Sequence, residues 1–372
     1  MKPRGDGGAA DGKKCGRSWG AAPALLCLRT HLRPVPETLW TRPRGTGTGS
    51  YDFRGTRVTA DVLPALSAKV RAAAHPAAEA CVCGADTSVL ADRPDGTVVR
   101  HGATVAKAHA AGTDLAGLAA RLAVAAHPAL AGILLPPHGP GAAELDGRPV
   151  TFWSYGTPVD REDPDAAPWE EAAALLARLH RTPDSVLPPG LPPMRGPAKA
   201  ARAVARLRAA GPHPAAAPVL RAWAVLPAWA RDEAPMPDLG TLCHGDLHLG
   251  QLVRPGSGDW LLIDIDDLGR GDPAWDLARP AAWFACGLLP PDEWTRFLTA
   301  YRKAGGTAVP ADSDPWPALD VPARALSVQT AAQAIAKSVA GGRPLDEVET
   351  SVIDACDRMA AHPPELAPDF AT

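Results

Sequence analysis

At Ser154-Tyr-Gly156-Thr-Pro158 the chain changes its hydrophobic period, and that change constrains the fold more than any other feature. Before it, apolar residues come in short alternating runs. Residues 88–91 and 97–100 flank a Pro94-Asp95-Gly96 turn, and 104–108 continue as a third strand. A helix over 113–126 follows, with Leu115, Leu118 and Leu122 on one face. Residues 144–153 read as a second hairpin around Asp146-Gly147. After the connector the spacing is helical. Residues 168–180 put Trp169, Ala172, Ala173, Leu176 and Leu179 on one stripe, with Glu170 and Glu171 first and Arg178, His180 and Arg181 last, the charge order a helix dipole favours. Further helices are predicted over 198–210, more weakly over 219–230, and from about 273 to near 360. Two short apolar strands, 241–244 and 260–264, interrupt the helical half. The order is a β-rich lobe, a hinge and an α-rich lobe, an α+β arrangement without internal repeats.

The expected organisation is a basic extension over 1–50, a β-rich lobe over 51–157 ending in the hinge, and a helical lobe over 158–372. The first segment carries nine Lys and Arg and neither helical nor strand periodicity, so it is expected to be disordered. Its apolar stretch is broken by Pro23 and followed by Arg29, unlike a secretory signal. Lys+Arg 38 against Asp+Glu 41 leaves no global field to draw the chain to nucleic acid. No apolar run approaches the length that spans a bilayer, so no membrane partner is expected. Seven scattered cysteines include Cys81-Val-Cys83, which lacks the gap of a zinc knuckle; reduced thiols and a cytoplasmic location are expected.

The densest polar cluster in apolar surroundings is His244-Gly-Asp246-Leu-His248-Leu-Gly-Gln251, followed by Asp264-Ile-Asp266-Asp267. Two acidic turns each follow a short apolar strand. A carboxylate, an amide oxygen and a second carboxylate converging there suit Mg2+, leaving one carboxylate to take a hydroxyl proton. Phosphoryl transfer asks for that combination.

This stretch resembles the aminoglycoside phosphotransferase and choline kinase branch of the protein-kinase-like superfamily, whose catalytic loop reads H-G-D, then Asn or Gln, then I-D-x-D. The likeness extends through Gly271-Asp272-Pro273-Ala274-Trp275-Asp276-Leu277-Ala278 and takes in Leu175-Leu-Ala-Arg-Leu-His180. The His-Gly-Asp-Leu-His-Leu-Gly-Gln variant is also similar to that of bacterial sugar kinases of the maltokinase and glucosamine kinase type. The resemblance implies a bilobal protein-kinase-like fold and ATP- and Mg2+-dependent transfer of the γ-phosphate to a small-molecule hydroxyl: a sugar, amino sugar or aminoglycoside. It implies Asp246 as the base, His244 as a brace of the catalytic loop, and Gln251 and Asp264 as metal ligands. Lys107, one of five lysines after residue 50, matches the phosphate-holding lysine. The hinge would be 152–157, with Trp153 and Tyr155 beside the nucleotide, and Ser88 would end a phosphate loop that holds only Gly84.

Asp272 reads as a helix cap, and Asp276 as a brace beneath the catalytic loop. The helix over 113–126 offers no glutamate to pair with Lys107 and carries Arg121 where an acid is expected. That gap favours a rival reading as a nucleotide-binding pseudokinase. A second rival is a metallohydrolase holding zinc or manganese through His244, Asp246, His248 and Asp264. An excess of acids after Trp283 would suit an amino sugar or aminoglycoside, and tryptophans 223, 229, 275, 283, 294 and 316 are candidates for stacking on a sugar.

Overall fold

The computed structural model describes residues 62–362 except 77–80, 82, 94, 161 and 238–239. The expected extension 1–50 lies outside the described residues. The sequence reading contained no helix ahead of the strands, yet α1 (Val62–Ala74) opens the described chain. Its buried Val62, Leu66 and Val70 recur at one helical face, a signal present in the sequence. It packs on an antiparallel sheet of β1 (Thr87–Arg93), β2 (Gly96–His101) and β3 (Thr104–His109), with β4 (Ala143–Leu145) and β5 (Arg148–Ser154) completing the order β1-β2-β3-β5-β4. Val99, Ala106, Ala108 and Val150 meet the helix in a small separate core.

Between β3 and β4, α2 (Leu115–Ala126) begins at Asp114, whose carboxylate accepts from the Ala116 N–H. Leu118, Leu122 and Val124 face the larger core, not the small one, so α2 seals the joint between the lobes. The chain then crosses through the short β6 (Thr157–Pro158), which pairs with β8 (Leu252–Arg254), itself paired with β9 (Leu261–Leu262). A second small ladder joins β7 (Thr241–Cys243) to β10 (Gly269–Gly271). These ladders hold the two acidic turns seen in the sequence.

The helical lobe contains α3 (Trp169–His180), α4 (Gly196–Ala209), α5 (Ala216–Ala224), α6 (Ala274–Ala285), α7 (Pro291–Lys303), α8 (Trp316–Gly341) and α9 (Glu347–Ala361). The helix expected over 219–230 starts earlier and stops at Ala224; Pro227 separates it from a single 3-10 turn, because proline lacks the N–H to continue the ladder. One contiguous apolar core runs from α2 to α9. Among the described residues, no helix is long and apolar enough to cross a membrane.

Candidate active site

β7 delivers His244, Gly245 and Asp246 into a loop that is braced from below. The backbone N–H groups of His244 and Gly245 donate to the two oxygens of Asp276 at 2.6 and 2.7 Å. His180 Nε2 lies 3.0 Å from the same carboxylate, and its Nδ1 is 2.7 Å from the Tyr301 hydroxyl, which also accepts from the Ala308 N–H at 2.9 Å. A buried polar chain therefore links α3, α6 and α7 to the loop. Gly245 sits at φ +82°, and a Cβ there would run into the Asp267 carbonyl, so the middle position admits only glycine. His244 is fully buried and its Nε2 pairs with the Ile263 carbonyl at 2.8 Å, tying the loop to the segment that ends in Asp264.

Asp246 faces two cations. Lys199 Nζ from α4 is 2.6 Å from one oxygen and the Arg279 guanidinium from α6 is 2.8 Å from the other. Burial pushes this carboxyl up, but Arg279 and Lys199 outweigh it and hold it well below the usual carboxylate range. Lys199 also reaches Asp267 at 2.6 Å, and Arg195 Nε approaches that carboxylate at 3.0 Å. Next to Asp246, His248 Nδ1 accepts from the Gly250 N–H; burial first, then Arg279, pushes its pKa down to about 4. His248 senses the charges of both Asp246 and Asp264.

The second turn places Asp264 at φ +67°, a left-handed conformation costly for a residue other than glycine and typical of functional turns. Its carboxylate meets Gln251 Nε2 at 3.2 Å and Lys107 Nζ at 2.7 Å, and Lys107 also reaches Asp266 at 2.9 Å. The lysine of β3 is thereby joined across the lobes to the acidic turn. Burial disfavours its charge, yet Asp264 and Asp266 raise its pKa well above the usual lysine range. The partner expected from α2 is replaced by these aspartates, while Arg121 of α2 donates to the Leu268 carbonyl at 2.7 Å. His109 Nδ1 adds a contact to Asp266 at 3.3 Å. An ammonium between two carboxylates, beside an amide able to present its oxygen, marks a place suited to a hard cation. The donors Gln251, Asp264 and Asp266 fit Mg2+.

The other sequence-derived residues divide. Trp153 and Tyr155 lie where β5 leaves the sheet: the Trp153 indole donates to the Thr151 hydroxyl, and the Tyr155 N–H is taken by the Ala103 carbonyl at 2.7 Å. The Arg100 guanidinium stacks 3.4 Å over the Tyr155 ring. Ser88 is not brought to Lys107. It lies exposed on edge strand β1, opposite Arg100, whereas Lys107 pairs with Val98 and its Cε would lie 3.6 Å from a Cβ on Gly96, nearer the other end of the hairpin.

The metallohydrolase set does not assemble: His244 is engaged with Ile263, and His244, Asp246, His248 and Asp264 are not among the groups of described residues whose ligand atoms converge. Trp223, Trp275, Trp294 and Trp316 are buried core, leaving Trp229 and Trp283 partly accessible. Sequence reasoning missed Lys199 and Arg279. Lysine scarcity was a usable signal for the first; Arg279 stands three residues after Asp276, the next position on the same helical face.

No curated protein matches the chain. Among solved structures it is similar to a choline/ethanolamine kinase family protein from Mesorhizobium loti, with 18% identity over 80% of this chain and 94% of that one and a TM-score of 0.49. It is similar to macrolide 2'-phosphotransferase MphH from Brachybacterium faecium, with 20% identity over 81% and 100% and a TM-score of 0.44. A third is spectinomycin phosphotransferase APH(9)-Ia, solved with ADP and spectinomycin, with 13% identity over 74% and 88% and a TM-score of 0.47. The profile of the phosphotransferase enzyme family matches residues 97–319, from β2 to the first turn of α8, and the chain belongs to that family of small-molecule phosphotransferases.

Proposed function

We propose that the chain uses ATP to phosphorylate a hydroxyl of a small, sugar-like acceptor, with Asp246 as the base. The observation that carries this reading is the Lys107 ammonium reaching from β3 to Asp264 and Asp266, which sets a phosphate-binding cation against a metal-binding turn. Lys107 would hold the phosphates, and Gln251 and Asp264 would hold Mg2+, with Asp266 beside them. Bound there, Mg2+ would neutralise charge on the transferring phosphate. Asp246, kept ionised by Lys199 and Arg279, orients the acceptor hydroxyl and takes its proton as the new P–O bond forms and the bond from the γ-phosphorus to the β–γ bridging oxygen breaks, releasing ADP. Its depressed pKa makes it a weak base, so its contribution is chiefly to aim the hydroxyl.

A cleft of about 240 Å3 opens beside the start of α4, lined by Met194, Arg195, Trp229, Asp232 and Met236. An indole edge and a few polar groups suit a sugar ring. The cations at Asp246 and Asp267 favour a neutral, hydroxyl-rich acceptor over a polycation, against the expectation drawn from the acidic stretch after Trp283.

The test is a pair of variants. Asp246→Asn is expected to lower kcat by roughly 10²–10⁴-fold while keeping the ATP-dependent thermal shift. Asp264→Asn is expected to lose that shift. Full transfer activity in Asp246→Asn would remove it from the chemistry, and an ATP screen over hexoses, amino sugars, maltose and aminoglycosides identifies the acceptor.

A further inference from the structure

Outside the active site, four soft donors from three separate segments meet at one corner of the sheet. His75 follows the last turn of α1, its N–H still bonded to the Arg71 carbonyl. Cys81 and Cys83 come from the loop ahead of β1, and His101 ends β2. His101 Nε2 lies 3.3 Å from His75 Nε2, 3.1 Å from Cys81 Sγ and 3.3 Å from Cys83 Sγ, and the two sulfurs are 3.1 Å apart. All four ligand atoms fall within 4.8 Å of one another. One imidazole nitrogen carries either one proton or one lone pair, so it cannot satisfy three such neighbours by hydrogen bonding. A shared cation satisfies them all.

We propose that His75, Cys81, Cys83 and His101 form a tetrahedral Cys2His2 zinc site that fastens α1 to the sheet. Nitrogen ligands at about 2.0–2.1 Å and sulfur ligands at about 2.3 Å set edges of about 3.3 Å between nitrogens and about 3.8 Å between sulfurs. The nitrogen edge is already of that length, and the sulfurs, 3.1 Å apart, need to separate by about 0.7 Å, a few tenths of an ångström each. The surroundings are those of a structural zinc site. His101 is buried and its Nδ1 lies 3.2 Å from the Thr87 hydroxyl, a bond that directs the Nε2 lone pair inward. The Ala85 N–H donates to Cys83 Sγ, which suits a thiolate. Two thiolates and two neutral imidazoles balance the charge of Zn2+, and a filled four-protein shell leaves no open position for catalysis.

The one-residue gap in Cys81-Val-Cys83 argued against zinc on spacing alone; in the folded chain the pair is joined by histidines from a helix end and a strand end, which spacing within the pair does not show. The small core beneath α1 explains the use of such a staple, since metal binding adds directly to the stability of the element it closes. This site is independent of the acceptor and nucleotide assignments.

The experiment is metal analysis of the tag-free full chain, purified under reducing conditions and reconstituted with zinc. About one zinc per chain is expected, lost in Cys81→Ser/Cys83→Ser and kept in Cys286→Ser. Cobalt exchange into the unsubstituted chain should give thiolate-to-cobalt charge transfer and the intense visible bands of a tetrahedral centre, a readout that does not depend on a variant folding. Only a trace of zinc after reconstitution, unchanged zinc in the double variant, or a Cys81–Cys83 disulfide in the reduced preparation would overturn the proposal.

Discussion

Lys199 Nζ stands 2.6 Å from Asp246 and 2.6 Å from Asp267, so one ammonium on α4 joins the loop after β7 to the turn before β10. Removing it takes away one of the two cations that keep Asp246 ionised. Lys199→Met should therefore raise the Asp246 pKa and move the acid limb of kcat/KM to higher pH. A pH profile with an unmoved acid limb would show that Lys199 does not act through Asp246.

Asp276 is buried and serves two backbone donors and His180 at once. Asp276→Ala leaves those groups buried without a partner and should cost about 3–5 kcal/mol, read from urea denaturation. Asp276→Asn, which keeps one carbonyl oxygen, should cost less.

Asp264 and Asp266 share the Lys107 ammonium. In Lys107→Met the two carboxylates repel, and Mg2+ no longer competes with an internal cation. The variant should show a larger thermal stabilisation by Mg2+ alone than the parent chain, and a smaller one by ATP. Equal Mg2+ shifts in the two proteins would contradict the assignment of this turn to the metal.

His248, with its pKa pushed down to about 4 by burial and Arg279, is neutral in the folded chain near neutral pH. In the unfolded chain it titrates near 6.5, so between about 6.5 and 4 the unfolded state holds more proton. Stability should fall as pH drops through that window and the His248 contribution should level off below it. His248→Gln should flatten this part of the stability curve.

The strands and most helices were legible because each is written in a local period: 3.6 in α3, two in β2 and β3. The brace at Asp276 was legible too, but through the resemblance that takes in Gly271 to Ala278, since position alone makes it an ordinary first-turn acid. Ser88 was misplaced because glycine content pointed to the wrong end of β1, while the register sets the other end of the hairpin beside Lys107. Partners brought together across long stretches of chain left no local trace. Lys199 lies 47 positions before Asp246, and His75 and His101 stand 26 apart with the cysteines between them. Such sets form only when helices and sheet dock.

The dependence of His244 and Gly245 on Asp276 also orders the making of the protein. During synthesis the five strands and Lys107 leave the ribosome well before α6, whose carboxylate is encoded 32 residues after His244. A nascent or truncated chain ending ahead of Ala274 can pair its strands, but it holds two backbone amides that nothing inside it can receive. The lobe that carries Lys107 can thus take shape first, and the loop that carries Asp246 is finished only when translation has passed α6.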